Sequence, residues 1–275
     1  MSLKITLLGT GTSHGVPMIG CDCDVCRSTD PRDWRTRPSV LIEHLPGAGS
    51  TPAVASPWAS ETRTVLIDTS TDLRLQAIKY GVRRVDAVLY THSHADHIFG
   101  LDDMRRFNHL QKRAIPCFAD PRTAADLRRM FSYVFAGTSE KGGGVPQLRL
   151  SELAGPLCLG GLDVVPVPVM HGARPILGYR FGSFAYLTDC SSIPDSSWPL
   201  LEGVQTLVLD ALREKPHLTH FNVTEAIAAA ERIGAARTYF THISHDLGHE
   251  ATCATLPPGV SLAYDGLVLD IPGGR

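Results

Sequence analysis

The sequence lacks several features that would place it in other classes of protein. Its apolar stretches are interrupted by glycine, proline or charge, and none reaches the roughly 18 residues that a membrane span needs. Positive charge is not in excess, because 26 basic and 28 acidic residues give a net charge of −2, so no global field gathers nucleic acid. The first residues contain no long apolar segment, unlike a secretory signal. We therefore expect a cytoplasmic protein with no membrane partner.

Cysteine and histidine are distributed unevenly along the 275 residues. The seven cysteines are odd in number, and three of them crowd into Cys21, Cys23 and Cys26. The twelve histidines bunch around residues 92–97 and 242–249. A disulfide framework would pair and space its cysteines more evenly. In a reducing compartment such clusters indicate metal sites before they indicate disulfides.

Hydrophobic patterning predicts a single domain of the α/β class. Alternation predicts strands over 3–8, 39–44, 63–68, 85–90, 115–119, 162–169, 176–181, 184–188, 204–209, 237–241 and 260–270. Helical spacing predicts helices over 71–80, 104–111, 121–131 and 223–233. Segments near 46–61 and 137–146 are rich in glycine and other small residues, which is typical of surface insertions. We expect two sheets packed together with helices outside.

The strongest chemical signal directly follows the predicted strand 85–90. His92, His94, Asp96 and His97 lie within six residues. A turn there can aim His92 and His94 at one point, and Asp96 and His97 at a second point nearby. Imidazole and carboxylate together suit zinc, manganese or iron, and hydrolytic two-metal sites hold their ions about 3.5 to 4 Å apart. A turn that only needed polarity would use asparagine, glycine and serine instead.

This HxHxDH pattern resembles that of the metallo-β-lactamase superfamily, which implies a four-layer αββα sandwich. The resemblance also implies that ligands come from later strand ends, where His171, Asp189 and His242 stand in order. It implies one metal ion held by His92, His94 and His171, a second held by Asp96, His97 and His242, and Asp189 bridging both beside a bridging water or hydroxide.

Asp68 matches an early strand-end aspartate of the same superfamily. The resemblance implies that its carboxylate accepts a hydrogen bond that fixes a ligand imidazole. The alternative is a purely structural role, in which Asp68 caps the helix that follows it.

The cysteine cluster predicts a different kind of metal site. Three thiolates at Cys-x-Cys-x-x-Cys spacing can surround one zinc ion and leave a fourth tetrahedral position open. His245 is the candidate for that position, because it stands three residues beyond His242 on the same loop. Such a closed site would be structural and would clamp the N-terminal loop beside the active-site loop. Free or redox-active cysteines are the alternative.

A narrower resemblance rests on four motifs in order along the chain. These are Leu-x-Gly-Thr-Gly, the cysteine cluster, HxHxDH and a late Thr-His-Ile-Ser-His, which together resemble the phosphodiesterase branch that includes phosphoribosyl 1,2-cyclic phosphate phosphodiesterases. The resemblance implies that His220 assists catalysis, by protonating the leaving oxygen, together with Asp96 and Asp189. Arg105 is a weaker candidate for holding phosphate, because it could equally pair with a nearby aspartate.

The expected function is hydrolysis of a small, cyclic ribose phosphodiester by attack of a metal-bridging hydroxide. The expected cofactors are two zinc or manganese ions and one structural zinc; nucleic acid is not expected as a partner, and a homodimer is compatible with the sequence. One alternative is a tRNA 3′-end nuclease, although no protruding arm or basic surface is evident. Others are an acyl hydrolase for thioesters or lactones, and a non-catalytic metal-binding accessory protein, which would tend to lose ligands.

Overall fold

The computed structural model describes residues 2–45, 64–136 and 144–272, and in them fourteen strands and seven α-helices. The strands are β1 (Ser2–Gly9), β2 (Ser39–Leu45), β3 (Thr64–Ile67), β4 (Ala87–Leu89), β5 (Ile115–Ala119), β6 (Leu148–Glu152), β7 (Leu157–Leu159), β8 (Leu162–His171), β9 (Arg174–Phe181), β10 (Phe184–Leu187), β11 (Thr206–Asp210), β12 (Arg237–Thr241), β13 (Val260–Leu262) and β14 (Val268–Ile271). The helices are α1 (Leu73–Lys79), α2 (Ala95–Ile98), α3 (Met104–Gln111), α4 (Pro121–Met130), α5 (Ser132–Phe135), α6 (Val223–Ile233) and α7 (His249–Cys253).

The strands form two mixed sheets of seven strands each, counted over the described ranges. The first sheet has the order β14-β1-β2-β3-β4-β5-β6, and the second has the order β13-β12-β11-β10-β9-β8-β7. In the first sheet β3 to β6 pair in parallel, and in the second β10 to β13 do so. Parallel neighbours bring their carboxyl ends to one edge of a sheet, which is where α/β folds place ligands.

The alternation of side chains along each strand divides the apolar core into three layers. Val65 and Ile67 of β3 pack between the two sheets, whereas Leu66 faces the helices outside. The third layer lies on the outer face of the second sheet, where Ala226 and Ala230 of α6 pack against it. This alternation follows from the period of two in a strand. The predicted four-layer αββα sandwich of the α/β class is confirmed, and the helix predicted over 223–233 is α6, which begins at a capping box formed by Asn222 and Glu225.

The prediction of one strand over 260–270 was wrong, because this segment forms two strands in different sheets. β13 pairs with β12 in the second sheet, and β14 pairs with β1 in the first. The chain crosses between them at Asp265, whose carboxylate accepts hydrogen bonds from the backbone N–H and hydroxyl groups of both Thr10 and Thr36. These four bonds hold the crossing beside β1, and alternation alone does not reveal them.

Several short elements were absent from the sequence prediction. β6 and β7 are edge strands whose side chains are largely exposed or half-buried, so they carry little hydrophobic signal. α5 and α7 span four and five residues, which is too short for a helical period to show. The predicted insertion 46–61 lies outside the described residues, as does most of 137–146. Among the described helices, none is long and apolar enough to cross a membrane.

Candidate active site

The candidate active site lies where several strands of both sheets end. The motif that begins at His92 follows β4, with Asp96 and His97 in α2. His171 is the last residue of β8, and Asp189 and His242 follow the ends of β10 and β12. Strand ends from the two sheets therefore bring these side chains together across about 150 residues of sequence.

The backbone turns sharply after three strands near the site, namely β3, β10 and β12. Asp68, Asp189 and His242 have φ angles of 60°, 54° and 59°, in the left-handed region that glycine usually occupies. A non-glycine residue there costs roughly 1–2 kcal/mol. Backbone conformations of this kind persist where the surroundings enforce them and cluster at functional sites. Each of these turns keeps a carboxylate or an imidazole where glycine would be less strained.

Asp189 lies at the centre of the cluster. Its Oδ2 atom is 3.2 Å from His97 Nε2, and its Oδ1 atom is 3.3 Å from His242 Nε2. Burial opposes ionisation of this carboxyl group, but the imidazoles of His242 and His97 outweigh burial and hold its pKa well below the usual range. The side chain is therefore an anion placed between imidazoles.

The ligand-type atoms form two adjacent groups. Within each group the ligand-type atoms lie within 4.8 Å of one another. The first group consists of His92, His94, His171 and Asp189. The second group consists of Asp96, His97 and His242. Asp96 Oδ2 lies 3.5 Å from the Nε2 atoms of both His97 and His242. His94 is exposed whereas the other members are buried, so the site opens to solvent beside His94.

Four buried nitrogens in this cluster have no hydrogen-bond partner among the described residues. One is His242 Nδ1, and the other three are the Nε2 atoms of His92, His97 and His242. Buried polar atoms are normally satisfied, so the three Nε2 atoms aimed at common acceptor oxygens need an explanation. Two ligand atoms that share one tetrahedral ion lie about 3.3 Å apart, which matches the contacts to Asp189. The side chains thus fit divalent metal ions.

Asp68 supports the segment from Thr91 to His97 through hydrogen bonds. Its Oδ2 atom lies 2.7 Å from His97 Nδ1, and its two carboxylate oxygens accept hydrogen bonds from the backbone N–H and the hydroxyl of Thr91, each at 2.8 Å. An acceptor at Nδ1 fixes the ring and leaves Nε2 facing the cluster. The alternative for Asp68, capping of the next helix, is not observed, because Asp72 is the residue at the start of α1.

His220 lies against the same cluster. One of its ring nitrogens is within 4.8 Å of the ligand atoms of Asp189 and His242, and its ring stacks on that of His242 at 4.7 Å. Its Nδ1 atom lies 2.9 Å from Asp210 Oδ2, and burial lowers the pKa of the imidazole. Because a carboxylate oxygen accepts, Nδ1 donates to Asp210, so the other ring nitrogen remains available for chemistry.

Asp210 is a site residue that sequence reasoning missed. It is fully buried at the end of β11, and its Oδ2 atom also accepts a hydrogen bond from the backbone N–H of Cys190. The available signal was an aspartate at the end of a buried strand, the same signal that marks Asp68. Burial raises the pKa of this carboxyl group. It holds His220 beside the loop that carries Asp189.

A second missed group pins the loop between two of the histidines. Ser93 donates a hydrogen bond to Asp126 Oδ2 at 2.6 Å, and Arg174 Nη2 donates to the Ser93 hydroxyl at 2.8 Å. Asp126 belongs to α4 and Arg174 begins β9. The serine therefore ties the segment between His92 and His94 to both halves of the fold.

The cysteine cluster lies on the loop after β1. Cys21, Cys23 and Cys26 have their sulfurs within 4.8 Å of one another and of a His245 ring nitrogen. The sulfurs of Cys21 and Cys23 are each 3.3 Å from His245 Nδ1, near the separation of about 3.5 Å expected for ligands on one tetrahedral zinc ion. The backbone N–H of Cys26 and the imidazole of His245 lower the pKa of Cys23 to about 6, which favours the thiolate.

Arg35, which the sequence analysis did not single out, holds the loop that carries His245. Its side chain is buried, and its guanidinium donates to the carbonyls of Ser244 at 3.0 Å and Leu247 at 2.7 Å. It also forms an ion pair with Asp33 at 2.9 Å. The loop after His242 is therefore braced from inside the protein.

Arg105 lies on α3 and is half-exposed. Its guanidinium is 3.4 Å from Asp102 Oδ2 and donates to the carbonyl of Gly144 at 3.4 Å. The pairing with a nearby aspartate, which the sequence left open, is present. A role for Arg105 in phosphate binding stays a prediction.

A family model described as a beta-lactamase superfamily domain matches residues 63–243, more than half of the chain. The chain therefore belongs to this superfamily, as a hydrolase domain of the metallo-β-lactamase fold. The fold and the two His/Asp groups together imply bound divalent metal ions.

Particular relatives narrow the comparison. A structure of a new diphosphatase from the PhnP family is 45% identical, with a TM-score of 0.86 over 98% of each chain. Zn²⁺-bound PqqB from Methylobacterium extorquens is 19% identical, with a TM-score of 0.73 over 98% of this chain and 100% of that chain, which shows the fold alone. An octanoyltransferase from Porphyromonas gingivalis is 37% identical over 279 residues, covering 99% of this chain and 53% of that protein. The chain thus spans about half the length of this curated relative.

Proposed function

We propose that the chain is a binuclear metal-dependent phosphodiesterase that hydrolyses a small, cyclic ribose phosphodiester. The observation that carries the proposal is the convergence of two adjacent ligand groups around the anionic Asp189, with the Asp210-supported His220 beside them. The similarity to a diphosphatase supports chemistry at phosphorus.

The seven ligand residues would divide between two ions. His92, His94 and His171 would hold one ion, Asp96, His97 and His242 the other, and Asp189 both. Two divalent ions there, zinc or manganese, would stabilise charge on phosphoryl oxygens and lower the pKa of water. Asp68 and the Thr219 carbonyl, which lies 2.7 Å from His171 Nδ1, keep two of the imidazoles oriented. The cysteine cluster with His245 would hold one structural zinc ion.

His220 would supply the proton that the leaving oxygen needs. Breaking a phosphodiester produces an alkoxide, and a positioned imidazolium protonates it as it departs. Asp210 accepts from Nδ1, which favours the protonated ring and opposes the lowering of the His220 pKa by burial. The stacking on His242 keeps the other ring nitrogen directed at the metal-binding groups.

Replacement of His220 by alanine should lower kcat by about a hundredfold for a substrate with an alkoxide leaving group. The loss should be much smaller with bis-para-nitrophenyl phosphate, because para-nitrophenolate leaves without a proton. Steady-state kinetics on both substrates with matched metal content make the comparison. The neighbouring His217, which is exposed, provides the His217→Ala control. Equal losses on both substrates would refute the proton-donor role.

A substrate panel tests the function itself. It contains bis-para-nitrophenyl phosphate, a ribose cyclic phosphate, a diphosphate-linked nucleoside, an octanoyl thioester and precursor tRNA. We expect hydrolysis of the cyclic phosphate with the highest kcat/KM. Hydrolysis of the diphosphate alone would match the name of the diphosphatase relative, and a diphosphate would then replace the cyclic diester as the proposed substrate. Cleavage restricted to the thioester or to the tRNA would overturn the proposal, the former in favour of the acyl alternative that the octanoyltransferase relative raises.

A further inference from the structure

A cavity of about 530 Å³ lies between α1, the turn that follows α1, and α3. The volume is within the roughly 300–1,000 Å³ of small-molecule sites. Its described lining residues include no member of the His/Asp groups or of the cysteine cluster, so it is separate from both. We call this cavity the α1–α3 groove.

The floor of the groove is apolar. Leu73 of α1 and Phe107 of α3 are 0% and 4% exposed, and Ala77, Val82 and Leu110 line the walls. Leu110 remains 47% exposed, and Ile78 beside it is 66% exposed. These side chains present apolar surface to solvent that a ligand chain could cover. The favourable free energy of binding would grow in proportion to the apolar area buried.

The rim of the groove carries three arginines, Arg74, Arg83 and Arg106. Within the described ranges none of them forms a hydrogen bond or a salt bridge, and Asp103 is the acidic residue beside them. A guanidinium that is not hydrogen-bonded to a carboxylate can take a carboxylate or a phosphate in the two-pronged geometry that suits both anions. Positive charge around an apolar floor complements a molecule with one anionic end.

We propose that the α1–α3 groove binds an anionic amphiphile, that is, a single medium-length alkyl or acyl chain ending in a carboxylate or a phosphate. The flanking helices have seven and eight residues, so the walls extend only about 12 Å. That length suits a medium chain, whereas an acidic amphipathic helix of a partner would need a longer groove to bury its apolar face.

Binding is tested on the metal-loaded full chain with octanoate and octyl phosphate by calorimetric titration. We expect saturable binding of at least one of the two, and the stronger ligand identifies the anionic group. 1-Octanol, acetate and inorganic phosphate should each bind at least about tenfold more weakly, since each lacks one half of the recognised chemistry.

Variants locate the binding. Arg74→Gln and Arg106→Gln should each weaken binding about tenfold, because each removes a charged hydrogen-bond donor. Ala77→Phe should obstruct the groove. Arg128→Gln, which removes an equal charge from α4 outside the groove, should leave binding unchanged. Thermal melts verify that each variant is folded.

Four outcomes would overturn the proposal. One is equal binding by Arg106→Gln and Arg128→Gln in proteins that melt normally. Another is binding of 1-octanol as tight as that of the octyl anions. The third is binding of an acidic amphipathic peptide where the octyl anions fail. Competition of octanoate with a phosphodiester substrate for the metal centre would likewise place the ligand elsewhere.

Discussion

Replacement of Asp189 by asparagine is expected to reduce phosphodiester hydrolysis by about a thousandfold, because it removes a preorganised charge from the centre of the site. Asparagine keeps the size of the side chain and can retain the left-handed backbone, but it cannot be an anion between His97 and His242. The Asp189 carboxylate belongs to the first group of candidate ligands and also contacts His97 and His242 of the second. Metal content by mass spectrometry should therefore fall together with kcat.

The matched control for this substitution is Asp195→Asn, because the Asp195 side chain is fully exposed and belongs to none of the groups of ligand-type side chains. Its activity and metal content should equal those of the unaltered protein. If Asp189→Asn instead retained both full activity and two active-site ions, the assignment of a bridging role to Asp189 would be wrong. Retention of the ions with loss of activity would limit its role to charge stabilisation during the reaction.

Replacement of Cys23 by serine is expected to remove one zinc ion and leave the active-site ions in place. A structural zinc contributes directly to folding, so the free energy of unfolding should fall by at least ~3 kcal/mol. For a chain of this size the melting temperature would then fall by roughly 6–12 °C. Metal analysis and thermal unfolding measured on the same samples test both parts.

Cys158→Ser is the control for the cysteine cluster, because Cys158 is also partly buried but lies in β7, away from the cluster. It should retain all metal and melt near the unaltered protein. An unchanged zinc content in Cys23→Ser would show that the three cysteines and His245 do not form a metal site. Loss of all metal would show that the two sites depend on one another.

The sequence predicted the elements whose signal is local. Buried strands such as β4 stand out because their apolar side chains are continuous, and α6 stands out because its capping box marks its start. The histidine motif after β4 is recognisable because the residues that make it are adjacent in the chain. The candidate ligands His171, Asp189 and His242 were identified by resemblance, since each alone is one polar residue at a strand end.

What the sequence could not show depends on contacts between distant segments. The role of Asp210 requires His220 to fold back by ten residues onto β11, and that of Ser93 requires α4 and Arg174 to meet at one hydroxyl. The division of the last segment between two sheets follows from Asp265 reaching Thr10 and Thr36. None of these pairings has a periodicity or a composition that marks it.

The distribution of the candidate ligands over two sheets has a mechanical consequence. The first sheet supplies Asp68 and the segment from 92 to 97, whereas the second supplies His171, Asp189 and His242. Any ion coordinated by side chains from both sheets would cross-link the two halves of the sandwich. Demetallation would then loosen the joint between the halves and leave the hydrogen-bonded interior of each half intact.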